Sequence, residues 1–196
     1  MASNMASKST LPRKDGSTRR VVVGIGGGIA AYKVATVVSR LVQSGHLVQP
    51  VLTAGATRFV GAATFTALCG RSAVTDTYDP NFPLGPHIEL AESADLLVVA
   101  PATARLVASF AWGLADDLLT TLYLAFDGPV LMAPAMSSPM WDKPAVQRNV
   151  ARLKEDGVQF VGPEVGWLSC RKQGNGRMSE PEQILEAIAR ILDPAI

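Results

Sequence analysis

The 196 residues are 48% hydrophobic and 18% charged, enough for one domain with a sizeable core and too few for two comfortable ones. A formal net charge of +1 excludes a strong field for nucleic acid or an acidic membrane surface. The two cysteines, Cys69 and Cys170, form neither a C-x-x-C metal pattern nor a secreted disulfide framework, so the sequence implies no metal and a reducing, cytoplasmic compartment.

No apolar run reaches the roughly 18 residues of a membrane span. Residues 1–20 are polar and basic, lack the apolar core of a signal peptide, and read as a disordered leader before one domain over 21–196. Val21–Ile25 is short, apolar and β-branched, as a buried parallel strand should be. The cluster Gly26-Gly27-Gly28 follows, then apolar residues at helical spacing over Ile29–Gln43, closed by Gly45. His46–Leu52 predicts the second strand, leading to Thr53-Ala54-Gly55 and a short helix from about Ala56. Phe65–Leu68 predicts a helical turn and Gly70–Pro86 a loop.

Asp95–Ala100 predicts a strand ended by Pro101, with helices over Ala104–Gly113 and Ala115–Ala125. Pro129–Ala133 predicts a strand stopped by Pro134, Pro144–Asp156 a helix, and Val158–Val161 a final strand. Gly162–Arg177 reads as a loop, before a helix over Glu180–Leu192 opened by an N-cap at Ser179-Glu180 and by Pro181. Strands and helices at this rhythm predict an α/β fold, a doubly wound parallel sheet with ligands at the carboxyl ends of its strands. Four of those ends carry unusual loops: Gly26–Gly28, Thr53–Gly55, Pro101–Ala104 and Pro134–Trp141.

Each loop allows two readings. The glycines suit a phosphate at a helix N-terminus or a plain tight turn. With Gln49 and Pro50 where a ribose-binding carboxylate would stand, a mononucleotide is favoured over a nicotinamide dinucleotide. Thr53 suits a phosphate donor or an N-cap. His87, at a loop-to-helix junction, suits acid–base chemistry or a structural role. The segment Pro134–Trp141 suits a planar aromatic cofactor or a hydrophobic plug. Cys170, beside Arg171 and Lys172, suits an activated thiol on a mobile lid or an incidental thiol on a basic loop.

Together the segments GIGGGIAAYK (24–33), TAGATRFV (53–60), HIELA (87–91), PATA (101–104), ADDLLTT (115–121), PAMSSPMW (134–141) and CRKQGNGRM (170–178) resemble the flavin-containing cysteine decarboxylases. Within them the pattern is most similar to the phosphopantothenoylcysteine decarboxylases of coenzyme A biosynthesis. The resemblance implies a flavodoxin-like three-layer α/β/α fold, trimers or dodecamers of trimers, and FMN at subunit interfaces. It places FMN against Gly27, Gly28, Ile29, Thr53, Phe65, Pro101, Ala102, Thr103, Ala104 and Ala135. It implies His87 and Cys170 as catalytic residues, and Ser137, Met140, Arg171 and Lys172 against a small phosphorylated cysteine conjugate. The implied chemistry is redox-neutral: thiol oxidation by FMN, loss of carbon dioxide, and return of the electrons with Cys170 as proton donor.

The alternatives it leaves are a peptidyl-cysteine decarboxylase of natural-product maturation and a non-catalytic FMN-binding regulatory homologue. Four departures stand out, one being Ala111-Trp112-Gly113 where the family has Ala-Asn-Gly. Ser137 replaces the family asparagine that holds the substrate carboxylate, Arg105 replaces a second asparagine and suggests a substitute anion contact, and Arg171 occupies a position where glycine is usual.

Overall fold

A computed structural model describes residues 18–193, so the predicted leader lies outside the described residues except for its last three. Five parallel strands form the central sheet in the order β2-β1-β3-β4-β5: β1 (Arg20–Ile25), β2 (Leu47–Leu52), β3 (Leu96–Ala102), β4 (Val130–Pro134) and β5 (Gln159–Phe160). This is the flavodoxin-like order, as expected. Strand β1 starts at Arg20, whose N–H donates to Asp95 Oδ2 at 2.7 Å.

Alternation along the strands divides the core. Val21, Val23, Ile25, Leu96, Val98, Ala100, Leu131 and Ala133 face one layer, made by α1 (Ala31–Gln43), α2 (Ala62–Cys69) and α8 (Pro181–Leu192). Val22, Leu97, Val99 and Met132 face the other, made by α3 (Pro86–Ser93), α4 (Ala104–Ala111), α5 (Leu118–Ala125) and α7 (Pro144–Glu155). A one-residue slip would turn every side chain of a strand to the opposite helical layer, where it has no matching partners, so the register is fixed.

Several boundaries differ from expectation. Strand β3 runs two residues past Ala100, through a cis Ala100–Pro101 bond, because Ala102 still pairs with Pro134 of β4. Helix α5 starts at Leu118, not Ala115, because Asp117 caps it: Asp117 Oδ1 accepts from Thr120 N–H at 2.9 Å, and Thr120 Oγ1 accepts from Asp117 N–H at 3.0 Å. Helix α8 is capped by Glu180 with Gln183, whereas Ser179 is buried and donates its hydroxyl to Glu164 at 3.2 Å. The expected loop 162–177 is largely an antiparallel hairpin of β6 (Glu164–Trp167) and β7 (Gln173–Arg177). A short helical turn, α6 (Ser138–Trp141), follows β4. Among the described residues no helix is long and apolar enough to cross a membrane.

Candidate active site

The carboxyl ends of β1, β2, β3 and β4 meet. Gly26 and Gly27 make the approach possible: a methyl on Gly26 would lie 2.2 Å from the Pro101 carbonyl oxygen, and one on Gly27 2.7 Å from the Gly55 backbone. Ala135 N–H then donates to the Ala102 carbonyl at 3.1 Å, tying the fourth loop to the third. Above the glycines, α1 begins with no capping side chain and no acidic residue in its first turn. Ala31 N–H donates to the Gly28 carbonyl and Lys33 N–H to the Ala30 carbonyl, both at 3.0 Å, so what this end offers a phosphate is chiefly the positive end of the helix dipole.

A cleft of about 670 Å³ opens beside this end. Gly28, Ile29 and Ala30 form one wall, Ala135, Met136 and Ser137 a second, and Leu168, Ser169 and Cys170 of the hairpin a third. The structure thus unites Gly28, Ile29, Ala135, Ser137 and Cys170. Ser137 precedes α6, where its carbonyl accepts from Met140 and Trp141 at 2.9 and 3.0 Å while its side chain makes no cap bond. Its hydroxyl is thereby left for the cleft.

Sequence reasoning missed the charged wall of the same cleft. Lys33 Nζ lies 3.0 Å from both carboxylate oxygens of Glu180, and Arg177 pairs with the same carboxylate. Burial, and then the positive charge of Arg177, hold the Lys33 pKa below its usual value. Lys33 and Arg177 thus share the Glu180 carboxylate, with Glu164 also acting on Lys33. The signal was Lys33 within the first turn of α1, on the helix face next to the glycines.

Other predicted residues lie elsewhere. Phe65 is 0% exposed inside the α1–α2 core, so in this protomer it supports the site from within instead of facing a ligand. Thr53 is buried and already donates to the Ile25 carbonyl at 3.2 Å while accepting from Ala56 N–H, so its proton is committed to the backbone. Pro101 and Ala102 are buried, Pro101 as a packing partner of Gly26, while Gly27 packs on the Gly55 backbone. Thr103 caps α4 by accepting from Leu106 N–H at 3.3 Å, which leaves its own proton to donate, with Ala104 beside it.

Met140, Arg171 and Lys172 are exposed and do not line the cleft. Arg105 does not replace the missing asparagine: it binds Asp116 at 2.6 Å and Asp117 at 3.1 Å. The Cys170 segment is not a free lid, since Met136 N–H donates to the Gly176 carbonyl at 2.9 Å and Ser138 Oγ to the Asn175 carbonyl at 2.6 Å.

His87, in the first turn of α3, belongs to the opposite helical layer and is absent from the cleft wall. Its ring packs over Gly85, and its Nδ1 is buried without a hydrogen-bond partner. Buried polar atoms are rarely left so, and one that is calls for an unseen partner.

The geometry agrees with known proteins. Residues 8–193 match the family model described as Flavoprotein. The chain is 45% identical over 171 residues to the coenzyme A biosynthesis bifunctional protein CoaBC of Bacillus subtilis, covering 87% of this chain and 42% of that protein. It is 47% identical over 175 residues to CoaBC of Mycobacterium tuberculosis, covering 89% and 42%. The chain therefore spans about two fifths of the length of these curated relatives.

Among solved structures, the FMN-dependent cysteine decarboxylase SpaF superposes with a TM-score of 0.80 at 35% identity, covering 91% of this chain and 98% of that one. A PPC decarboxylase mutant complexed with pantothenoylaminoethenethiol superposes with a TM-score of 0.78 at 30% identity, covering 87% and 96%. The chain belongs to the flavoprotein family.

Proposed function

We propose that this chain is a cytoplasmic FMN-dependent carboxy-lyase converting 4'-phosphopantothenoylcysteine to 4'-phosphopantetheine in coenzyme A biosynthesis. The observation that carries this reading is the meeting of Cys170, Ser137 and the uncapped start of α1 in one cleft. The CoaBC relatives and the PPC decarboxylase structure support it.

The residues present fit FMN. The glycine contacts at Gly26 and Gly27 form a backbone cradle that a Cβ would fill, the start of α1 presents the positive end of its dipole with no side-chain cap, and Thr103 offers a hydroxyl. When bound, the flavin supplies a reversible two-electron sink, which makes the carbon–carboxylate bond next to the thiol-bearing carbon able to release carbon dioxide.

The chain's own residues do the rest. Ser137 orients the substrate carboxylate, and Lys33 and Arg177 offer N–H donors to the anionic substrate. Cys170 delivers a proton to the carbon chain after the carboxylate has left. Overall the cysteine amide loses carbon dioxide and gains one proton in place of the carboxylate, with no net redox change.

His87 acts in acid–base chemistry from a second copy of the chain, so the working unit is a homo-oligomer, a trimer or an assembly of trimers. Its unpartnered Nδ1 supports this, as do the exposed Leu84 and Ile88 on either side of it.

The test is to purify the protein, record the flavin spectrum, and compare carbon dioxide release from 4'-phosphopantothenoylcysteine and from a peptide ending in cysteine. A yellow protein that prefers the phosphorylated conjugate is expected. Preference for the peptide would transfer the reading to peptide maturation, and a yellow protein inert on both would mark a binding homologue.

A further inference from the structure

Ser138 and Met136 flank Ser137 and hold β7 at two successive carbonyls. Ser138 Oγ donates to Asn175 at 2.6 Å, and Met136 N–H donates to Gly176 at 2.9 Å. The strand comes this close because it presents glycine: a methyl on Gly174 would lie 2.3 Å from Ser138 Oγ, and one on Gly176 2.2 Å from the Met136 carbonyl oxygen. The other ties of the hairpin, Ser179 to Glu164 and Arg177 to Glu180, lie at its open end. Cys170 sits at the far end, in the turn closed by Leu168 N–H to the Lys172 carbonyl at 2.9 Å. The Ser138 bond is thus the side-chain tie between the segment bearing Ser137 and the strand leading to Cys170.

We propose that Ser138 is a positioning residue: its hydrogen bond to Asn175 sets the placement of Cys170 relative to Ser137, and so decides whether the substrate is carried through to the saturated product. The proposal rests on the decarboxylase reading above. Loss of the bond lets the hairpin move while Ser137 stays in place. Carbon dioxide then still leaves, but the ene-thiol remaining after its departure escapes before Cys170 protonates it. An escaping ene-thiol corresponds to substrate minus carbon dioxide, two electrons and one proton, and both the electrons and the proton stay in the bound flavin. Each escape is therefore matched by one bleached cofactor.

The experiment uses the flavin-loaded full chain as wild type, Ser138→Ala, Ser138→Thr, Gly174→Ala and the Ser138→Ala/Gly174→Ala double variant. Anaerobic single turnovers are quenched, and carbon dioxide, ene-thiol and saturated thiol are quantified. Hydrogen exchange across residues 173–177 is measured on the same samples without substrate. Ser138→Ala should release carbon dioxide within about twofold of wild type while the ene-thiol share rises about tenfold, and exchange in β7 should accelerate. Ser138→Thr, which keeps the hydroxyl, should restore both. Gly174→Ala should behave like Ser138→Ala and add little to it, since both changes break one contact.

An unchanged ene-thiol share in Ser138→Ala overturns the proposal, as does a threonine that fails to restore it. If wild type releases no carbon dioxide from any cysteine conjugate, the decarboxylase reading fails instead. In that case the exchange data alone decide the latch: faster β7 exchange in the alanine variant, reversed by threonine, supports it, and equal exchange overturns it.

Discussion

Arg105 is bound to Asp117, the N-cap of α5, at 3.1 Å, and this pairing turns its guanidinium to the α4–α5 junction and away from ligand duty. The pair is half-exposed, and such surface ion pairs contribute about 0.2–1 kcal/mol. Arg105→Ala should therefore lower stability by less than about 1 kcal/mol in urea melts and leave KM unchanged. A several-fold rise in KM would show that Arg105 does reach substrate. The hydrogen bond from Arg105 holds Asp116 below the usual carboxylate range. The stabilisation from this pair is thus present above the ordinary aspartate pKa and fades as pH falls through the lowered value.

Arg171 occupies the hairpin tip with φ of 61°, a left-handed conformation that an L-residue adopts at a cost of roughly 1–2 kcal/mol and glycine adopts freely. Arg171→Gly should slow exchange of the tip amides and raise stability by about 0.5–1 kcal/mol, part of the gain being offset by the greater freedom of glycine in the unfolded chain. Faster tip exchange would mean that the arginine side chain holds the turn.

Gly27→Ala would push a methyl to within 2.7 Å of the Gly55 backbone, so the loops after β1 and β2 must part. Backbone cannot yield as a side-chain tip can. The expected result is a folded but colourless protein, read as flavin per chain after purification, with a stability loss of about 2 kcal/mol or more. Full flavin content would contradict the cradle.

Ser137→Asn adds an amide donor at a side chain that no cap bond engages. With the carboxylate held by two atoms in place of one, kcat should rise or be preserved, with KM little altered. A large loss would show that the cleft is shaped around serine.

The parallel sheet was legible because its strands are β-branched runs punctuated by glycine and proline, and because strand-end loops gather in any doubly wound fold. The hairpin was not. Gly166, Gln173, Gly174 and Asn175 carry no apolar alternation, and the β6–β7 pairing depends on ties to Ser138, Met136 and Ser179 that only the folded chain supplies. Spacing likewise could not tell Phe65 as core from Phe65 as ligand contact, since an aromatic at a helical position serves either. The pairing of Lys33 with Glu180 joins residues far apart in the chain, and nothing local announces it. His87 was placed correctly at the start of a helix, but its layer in the sandwich follows from the topology.

The most direct test of the account is the oxidation level of the product formed by wild type and by Cys170→Ser from 4'-phosphopantothenoylcysteine. Wild type should give the saturated thiol, one carbon dioxide lighter than substrate, while Cys170→Ser releases carbon dioxide yet yields the ene-thiol. Equal amounts of saturated thiol from both proteins, or no carbon dioxide from wild type, would contradict it.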